Sequence, residues 1–164
     1  MVGSMARLNF FANRLGKQPR AMYERSPLAE GKHNTILNNL AQSIEIIEAI
    51  ERGRAVIQEI LALPPDSGVD QPQKVTPKPG VAVGAVECPR GTLYHSYQLD
   101  DKGLITAADM ITPSAQNAAG IEHNIRIVSQ EYYAQTSPTV LQNHLETLVR
   151  AYDPCNTCAT HMVK

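Results

Sequence analysis

One long stretch without proline constrains the fold of this chain more than any other feature. No proline occurs between Gly31 and Leu63, and apolar residues recur there at the three- and four-residue spacing of an α-helix. Gly53 is the only weak point inside the stretch, and it costs about 1 kcal/mol relative to alanine in a helix. The apolar set comprises Ile36, Leu37, Leu40, Ala41, Ile44, Ile47, Ile50, Ile57, Ile60 and Leu61. The pattern predicts one helix roughly 45 Å long at ~1.5 Å per residue.

Such a helix would span a whole compact domain of this length, whose radius of gyration is only about 15 Å. It therefore suits one member of a larger helical bundle better than a free-standing fold. Together with the polar and basic segment that precedes it, this helix forms the first predicted part of the chain, residues 1–63. Residues 64–80 contain five prolines and are predicted to form a surface loop.

The remaining residues, 81–164, predict a small antiparallel sheet followed by helices. Strands are expected at about 81–86, 91–99 and 104–111, with Asp100–Gly103 forming the turn between the last two. Ser114 can cap a helix that runs to about Tyr133. Ser137 and Pro138 can open another helix, which ends near Tyr152 because Pro154 disfavours helical geometry at the residue before it. The fold class is thus α+β and mainly helical, forming one incomplete domain with a C-terminal cysteine loop.

The charge pattern excludes several classes of partner. The formal net charge is −1, with no long run of one sign, so neither nucleic acid nor an anionic membrane surface is indicated. The longest apolar stretches fall far short of a membrane span. The first residues lack the basic and apolar regions of a signal peptide, which makes a cytoplasmic location the expectation.

The end of the chain carries the residues most suited to chemistry. Two of the three cysteines, Cys155 and Cys158, are separated by two residues, and His161 follows three residues later. Without a secretion signal, this spacing favours metal or redox chemistry over a disulfide framework. Thiolates are soft ligands that suit nickel, iron, zinc and copper(I).

From spacing alone, three interpretations of these cysteines stay open. They could be half of a zinc site completed by His161 with His144 or His123. They could be inert. A thioredoxin-like redox pair is less favoured, because that motif follows a strand and opens a helix, whereas these cysteines follow a predicted helix.

Five segments, in this order, resemble nickel-iron hydrogenase large subunits, specifically their C-terminal portion. The resemblance is strongest to the cytoplasmic, cofactor-coupled enzymes (group 3), and it covers almost the whole chain. The segments are Val2-Gly3-Ser4-Met5-Ala6-Arg7 (similar to Val-Gly-Pro-Leu-Ala-Arg), the long helix from His33-Asn34, Glu87-Cys88-Pro89-Arg90-Gly91 (similar to Glu-Ala-Pro-Arg-Gly), Thr112-Pro113-Ser114-Ala115-Gln116-Asn117, and Asp153-Pro154-Cys155-x-x-Cys158-x-x-His161.

The resemblance implies metal ligands at the end of the chain. Cys155 would be a terminal nickel ligand, and Cys158 would bridge nickel to an iron that carries carbon monoxide and cyanide. His161 would bind a structural magnesium ion. A maturation protease would cut after His161 and release residues 162–164, so the chain reads as an unprocessed precursor.

The resemblance also implies residues around the metals. Arg90 would lie over the open coordination position, and Ser114 would donate a hydrogen bond to a cyanide. Asp153 would pair with a nearby arginine or cap the turn. Cys88 replaces a small residue, and we expect it to be buried and inert.

The family also needs an N-terminal Cys-x-x-Cys, which this chain lacks. The resemblance therefore predicts a fragment that contributes to the reversible oxidation of H2 to protons and electrons but is inactive alone. Its expected partners are a polypeptide carrying the N-terminal half of the large subunit and a small subunit with iron-sulfur clusters. The alternatives are a non-catalytic scaffold and a small zinc protein.

Overall fold

The computed structural model describes residues 1–31, 34–64 and 76–159. Within these ranges the chain is mainly helical with one three-stranded antiparallel sheet, which confirms the predicted fold class. The elements are α1 (Ser4–Phe11), α2 (Lys17–Glu24), α3 (Asn38–Ala62), β1 (Gly80–Cys88), β2 (Gly91–Leu99), β3 (Ile105–Ile111), α4 (Pro113–Tyr132), α5 (Pro138–Tyr152) and α6 (Asn156–Ala159). Short 3-10 turns occur at Ala12–Arg14 and Thr35–Leu37.

Helix α3 confirms the predicted long helix but begins later than the pattern indicates. The Asn34 side chain accepts a hydrogen bond from the backbone N–H of Ile36 at 2.9 Å, and a 3-10 turn at Thr35–Leu37 leads into Asn38. Asparagine favours this local bond over continued helix. Gly53 lies inside α3 without interrupting it, because the single glycine costs only about 1 kcal/mol.

The sheet is a meander in which β2 is the central strand. Cys88 pairs with Gly91, so only Pro89 and Arg90 form the turn between β1 and β2. At the other end of β2, the Asp100 side chain accepts hydrogen bonds from the backbone N–H groups of Lys102 and Leu104 at 2.9 and 2.8 Å. The sheet therefore presents Arg90 at the tip of a tight hairpin.

The caps of α4 and α5 differ in how well the sequence predicted them. Ser137 caps α5 as expected, accepting from the N–H of Val140. For α4 the predicted cap, Ser114, is wrong: Thr112 takes that position and accepts from Ala115 N at 3.3 Å. Pro113 then fills the first helical position, where its missing N–H is harmless, and Ser114 is left inside the first turn.

The core is small for a chain of this size. Its main cluster of buried side chains joins α1, the turn after α2 and the first half of α3, and consists of Met5, Leu8, Leu28, Ala41 and Ile44. The second half of α3 and most of the sheet are exposed, with Ile57 at 58% and Val83 at 70% exposure. None of the helices in the described ranges combines the length and apolarity needed to cross a bilayer.

The predicted division into 1–63, 64–80 and 81–164 stays a prediction. Residues 65–75 of the proline-rich segment lie outside the described ranges, and 76–79 form no helix or strand.

Candidate functional site

The two C-terminal cysteines follow a sharp change in the direction of the chain. Helix α5 ends at Tyr152, and Asp153 takes the left-handed conformation (φ 51°, ψ 54°). Cys155 follows Pro154 directly and precedes α6, and its Cα lies 5.3 Å from that of Cys158. The two sulfurs are joined as a disulfide, whereas the sequence favoured metal or redox chemistry over a disulfide framework. They follow a helix, as predicted, and not the strand that precedes a thioredoxin-like pair.

The beginning of α4 holds this loop in place. Ser114, only 5% exposed, accepts a hydrogen bond from the backbone N–H of Cys155 at 3.0 Å. Thr112 donates its hydroxyl to the Cys158 carbonyl at 3.4 Å. Ser114, predicted as a site residue, thus contacts the cysteine loop directly, and no acceptor for its own hydroxyl proton occurs in the described residues.

Arg90 reaches the same loop from the hairpin tip. Its Nε donates to the Asp153 carbonyl at 2.5 Å, and Nη2 donates to Asp153 Oδ1 at 3.0 Å. The expected pairing of Asp153 with an arginine is therefore present. The second carboxylate oxygen, Oδ2, accepts from Gln42 Nε2 at 3.0 Å. Sequence reasoning missed Gln42, whose only signal is a polar residue beside the apolar pattern of α3.

The hairpin tip is fixed by close backbone packing against the first residues of the chain. Gly91 has φ 134°, and a Cβ there would lie 2.7 Å from Val2 Cγ2. A Cβ on Gly3 would lie 3.0 Å from the Arg90 carbonyl oxygen. Asn117 pins Val2 by accepting from its N–H at 2.8 Å and donating to its carbonyl at 3.3 Å. Four segments named for their resemblance thus meet around Arg90.

A second arginine, Arg7, holds the hairpin against α1 and α3. Arg7 donates to both carboxylate oxygens of Glu45 at 2.6 Å, to Glu87, and to the carbonyls of Cys88 and Pro89 at 2.9 and 2.8 Å. The hydrogen bond with Glu45 is the main cause that raises the pKa of Arg7 above its ordinary value. Arg7 therefore stays charged and ties α1, α3 and the hairpin together.

A cleft of about 670 Å³ separates α3 from the hairpin. Gln42, Glu45, Arg7 and Asp153 line it together with Cys88. The expectation that Cys88 is buried is wrong, because its side chain is half-buried at the end of β1, facing this cleft.

The zinc alternative finds no support among the described residues. His144 stacks on Tyr132 with ring centroids 4.9 Å apart, and His123 is exposed on α4. In the described ranges no three His, Cys, Asp or Glu side chains gather closely enough to hold a metal ion. His161, the third predicted metal ligand, lies outside the described residues.

Comparison with known proteins identifies relatives over nearly the full chain. A sequence profile described as nickel-dependent hydrogenase matches residues 32–161. The Sulfhydrogenase 1 alpha subunit of Pyrococcus furiosus is 35% identical over 100% of this chain and 37% of its own length. The beta subunit of the NAD-reducing hydrogenase HoxS of Cupriavidus necator is 39% identical over 77% of this chain and 26% of its own length.

A solved structure agrees with these sequence matches. The crystal structure of an NAD+-reducing NiFe-hydrogenase in the H2-reduced state superposes with a TM-score of 0.80 at 29% identity. It covers 98% of this chain and 35% of the compared chain. The chain thus spans about a third of the length of the proteins it matches, and its fold corresponds to that part of them.

Proposed function

Because the chain belongs to the nickel-dependent hydrogenase family, we propose that it supplies part of a nickel-iron centre for the reversible oxidation of H2 to protons and electrons. The observation that carries the proposal is the convergence of Cys155 and Cys158 with Ser114 and Arg90 at one loop. Three distant parts of the chain meet there, and each holds a residue named from the family resemblance.

The cysteine pair fits the metal in its reduced form. Two thiolates separated by two residues can bind one metal or bridge two, and they are soft ligands suited to nickel and iron. Cys155 would be the terminal nickel ligand and Cys158 the bridging one. The remaining two thiolates would come from a polypeptide carrying the N-terminal half of the large subunit. When bound, the centre would supply the metal positions at which H2 is split and from which electrons leave.

Arg90 would act through a fixed positive charge. Asp153 engages its Nε and Nη2, whereas Nη1 has no hydrogen bond to any described residue. A preorganised guanidinium stabilises negative charge that develops beside it without reorganising during the reaction. We assign Arg90 to this role over the open coordination position, and to hydrogen bonding with an iron cyanide.

Ser114 would tune the iron. Its oxygen already accepts from Cys155 N–H, so its hydroxyl proton can be donated to a second cyanide. Hydrogen bonds from residues around the metal ligands adjust the electronic properties of a centre. The iron would carry carbon monoxide and cyanide as ligands.

The wider assembly completes the proposed function. His161 would bind magnesium and be exposed as the last residue by a maturation protease. Electrons would pass to iron-sulfur clusters in a small subunit. We place the assembly in the cytoplasm, and we expect the chain to be inactive without the companion that supplies the other thiolates.

The test is co-expression of the chain with the N-terminal half of a related large subunit, its small subunit and the maturation proteins. We expect the purified complex to contain nickel and iron, to show infrared bands of bound carbon monoxide and cyanide, and to oxidise H2. Cys155→Ser and Cys158→Ser should each remove nickel, whereas Cys88→Ser should retain it. Zinc alone would support the small zinc protein, and a complex without metal would support the scaffold.

A further inference from the structure

The cysteine loop is anchored on α3 by two amide side chains one helical turn apart. Asn38 Nδ2 donates to the Ala151 carbonyl at 2.9 Å, and Gln42 Nε2 donates to Asp153 Oδ2 at 3.0 Å. Residues four apart lie on the same face of a helix. These two side chains therefore bind the last turn of α5 and the residue that begins the loop.

Asp153 accepts three hydrogen bonds from side chains of other elements. Two come from Arg90 in the hairpin, and the third comes from Gln42 in α3. Arg90 holds the carbonyl and Oδ1 from the hairpin. Gln42 holds Oδ2 from α3, which opposes rotation of the carboxylate about its Cβ–Cγ bond. The two carboxylate oxygens thus have different donors, and Arg90 contacts Asp153 through two of its nitrogens.

The geometry points to Gln42 as a positioning residue: its amide fixes the Asp153 carboxylate against Arg90 and so sets the path of the chain into Cys155. It touches neither sulfur and acts through Asp153. The assignment deepens the proposed function, because its importance for metal binding rests on Cys155 and Cys158 being the ligands.

Amide hydrogen exchange measured by NMR on the metal-free full chain tests this role. The N–H of Cys155 donates to Ser114 Oγ and reports whether the loop stays in place. Gln42→Ala should raise its exchange rate about tenfold, the effect expected from losing one hydrogen bond to a charged group. Exchange at Ile44, in the core of α3, should stay unchanged.

Two further variants keep the test decisive. Gln42→Met retains the side-chain length and helix propensity without the donor, and it should reproduce the local effect even if Gln42→Ala unfolds the chain. The matched control is Gln142→Ala, which removes an amide that donates to a glutamate carboxylate (Glu146) on the exposed face of α5 at 2.8 Å. It should leave exchange at Cys155 within about twofold of the wild type, as surface substitutions usually do.

A double-mutant comparison separates positioning from general stability. In an Asp153→Ala background, Gln42→Met should have no further effect on exchange at Cys155, because its partner is gone. The inference is overturned if the two effects add, if exchange at Cys155 does not change in Gln42→Met, or if Ile44 and Cys155 accelerate equally. Since no metal is present, none of these outcomes depends on hydrogenase activity.

Discussion

Ser114 shows how one side chain can serve both the loop and the proposed metal centre. It is buried, it belongs to the first turn of α4, and it satisfies the backbone N–H of Cys155 across 41 positions of sequence. A typical hydrogen bond within a protein contributes about 0.5–1.5 kcal/mol to its stability. The loop therefore depends on this hydroxyl before any metal is bound.

We predict that Ser114→Ala lowers the free energy of unfolding by about 0.5–1.5 kcal/mol, because the half-buried N–H of Cys155 loses its hydrogen bond. Urea denaturation followed by circular dichroism measures this change. Ser129→Ala on the same helix is the matched control, since the Ser129 hydroxyl makes no hydrogen bond among the described residues, and it should be neutral or slightly stabilising. Equal losses in the two variants would contradict the role of Ser114.

Individual residues differed in how far the sequence could place them. Short motifs that resemble the family made Cys155, Cys158 and Arg90 candidate site residues, and the structure brings all three to one loop. Gln42 could not be found, since its partner Asp153 is 111 positions away and a polar residue in an amphipathic helix has many destinations. The half-buried state of Cys88 depends on the open cleft, which no local pattern encodes.

Helices and strands were predicted well where periodicity is strong and less well at their ends. The spacing of apolar residues gave α3 and α5, and alternation gave the sheet. The start of α3 depends on one asparagine side chain, Asn34. For α4, Thr112 and Ser114 both carry a hydroxyl that could cap the helix. Pro113 takes the first helical position, so Thr112 is the cap.

Two glycines give opposite predictions for the elements that contain them. Gly53 lies inside α3 with open space where a Cβ would be, so Gly53→Ala should stabilise the chain by about 0.5–1 kcal/mol through helix propensity. Gly91 has φ 134° and no room beside Val2, so Gly91→Ala should destabilise it by about 1–3 kcal/mol. Thermal unfolding of both variants checks the pair, and the same sign for both would refute this account of the hairpin packing.

At the scale of the whole molecule, the exposed apolar surface is the dominant feature. Ile46, Ile50, Ile57 and Ile60 follow one another along α3, each more than half exposed. Large exposed apolar patches mark interaction surfaces. The length of the predicted helix indicated one member of a larger bundle, which agrees with its exposed apolar residues. No sequence pattern indicated how few residues would form the core.

We predict that Ile57→Glu weakens binding to the companion polypeptide of the proposed function at least tenfold, because a charge would be buried in an apolar contact. Co-purification and isothermal titration with the N-terminal half of a related large subunit measure the loss. Gln58→Glu adds the same charge at the next exposed position of α3 and should bind normally. The surface assignment fails if both variants bind equally well.

The left-handed backbone of Asp153 costs stability, whereas its side chain holds the cysteine loop in place. Apart from glycines, no other residue in the described ranges has a positive φ, and this conformation costs an L-residue about 1–2 kcal/mol. Glycine would remove that strain but also the carboxylate held by Arg90 and Gln42. Selection for the loop geometry therefore opposes glycine at this position. Among descendants of this sequence, a glycine at position 153 would indicate that the loop is no longer under that selection.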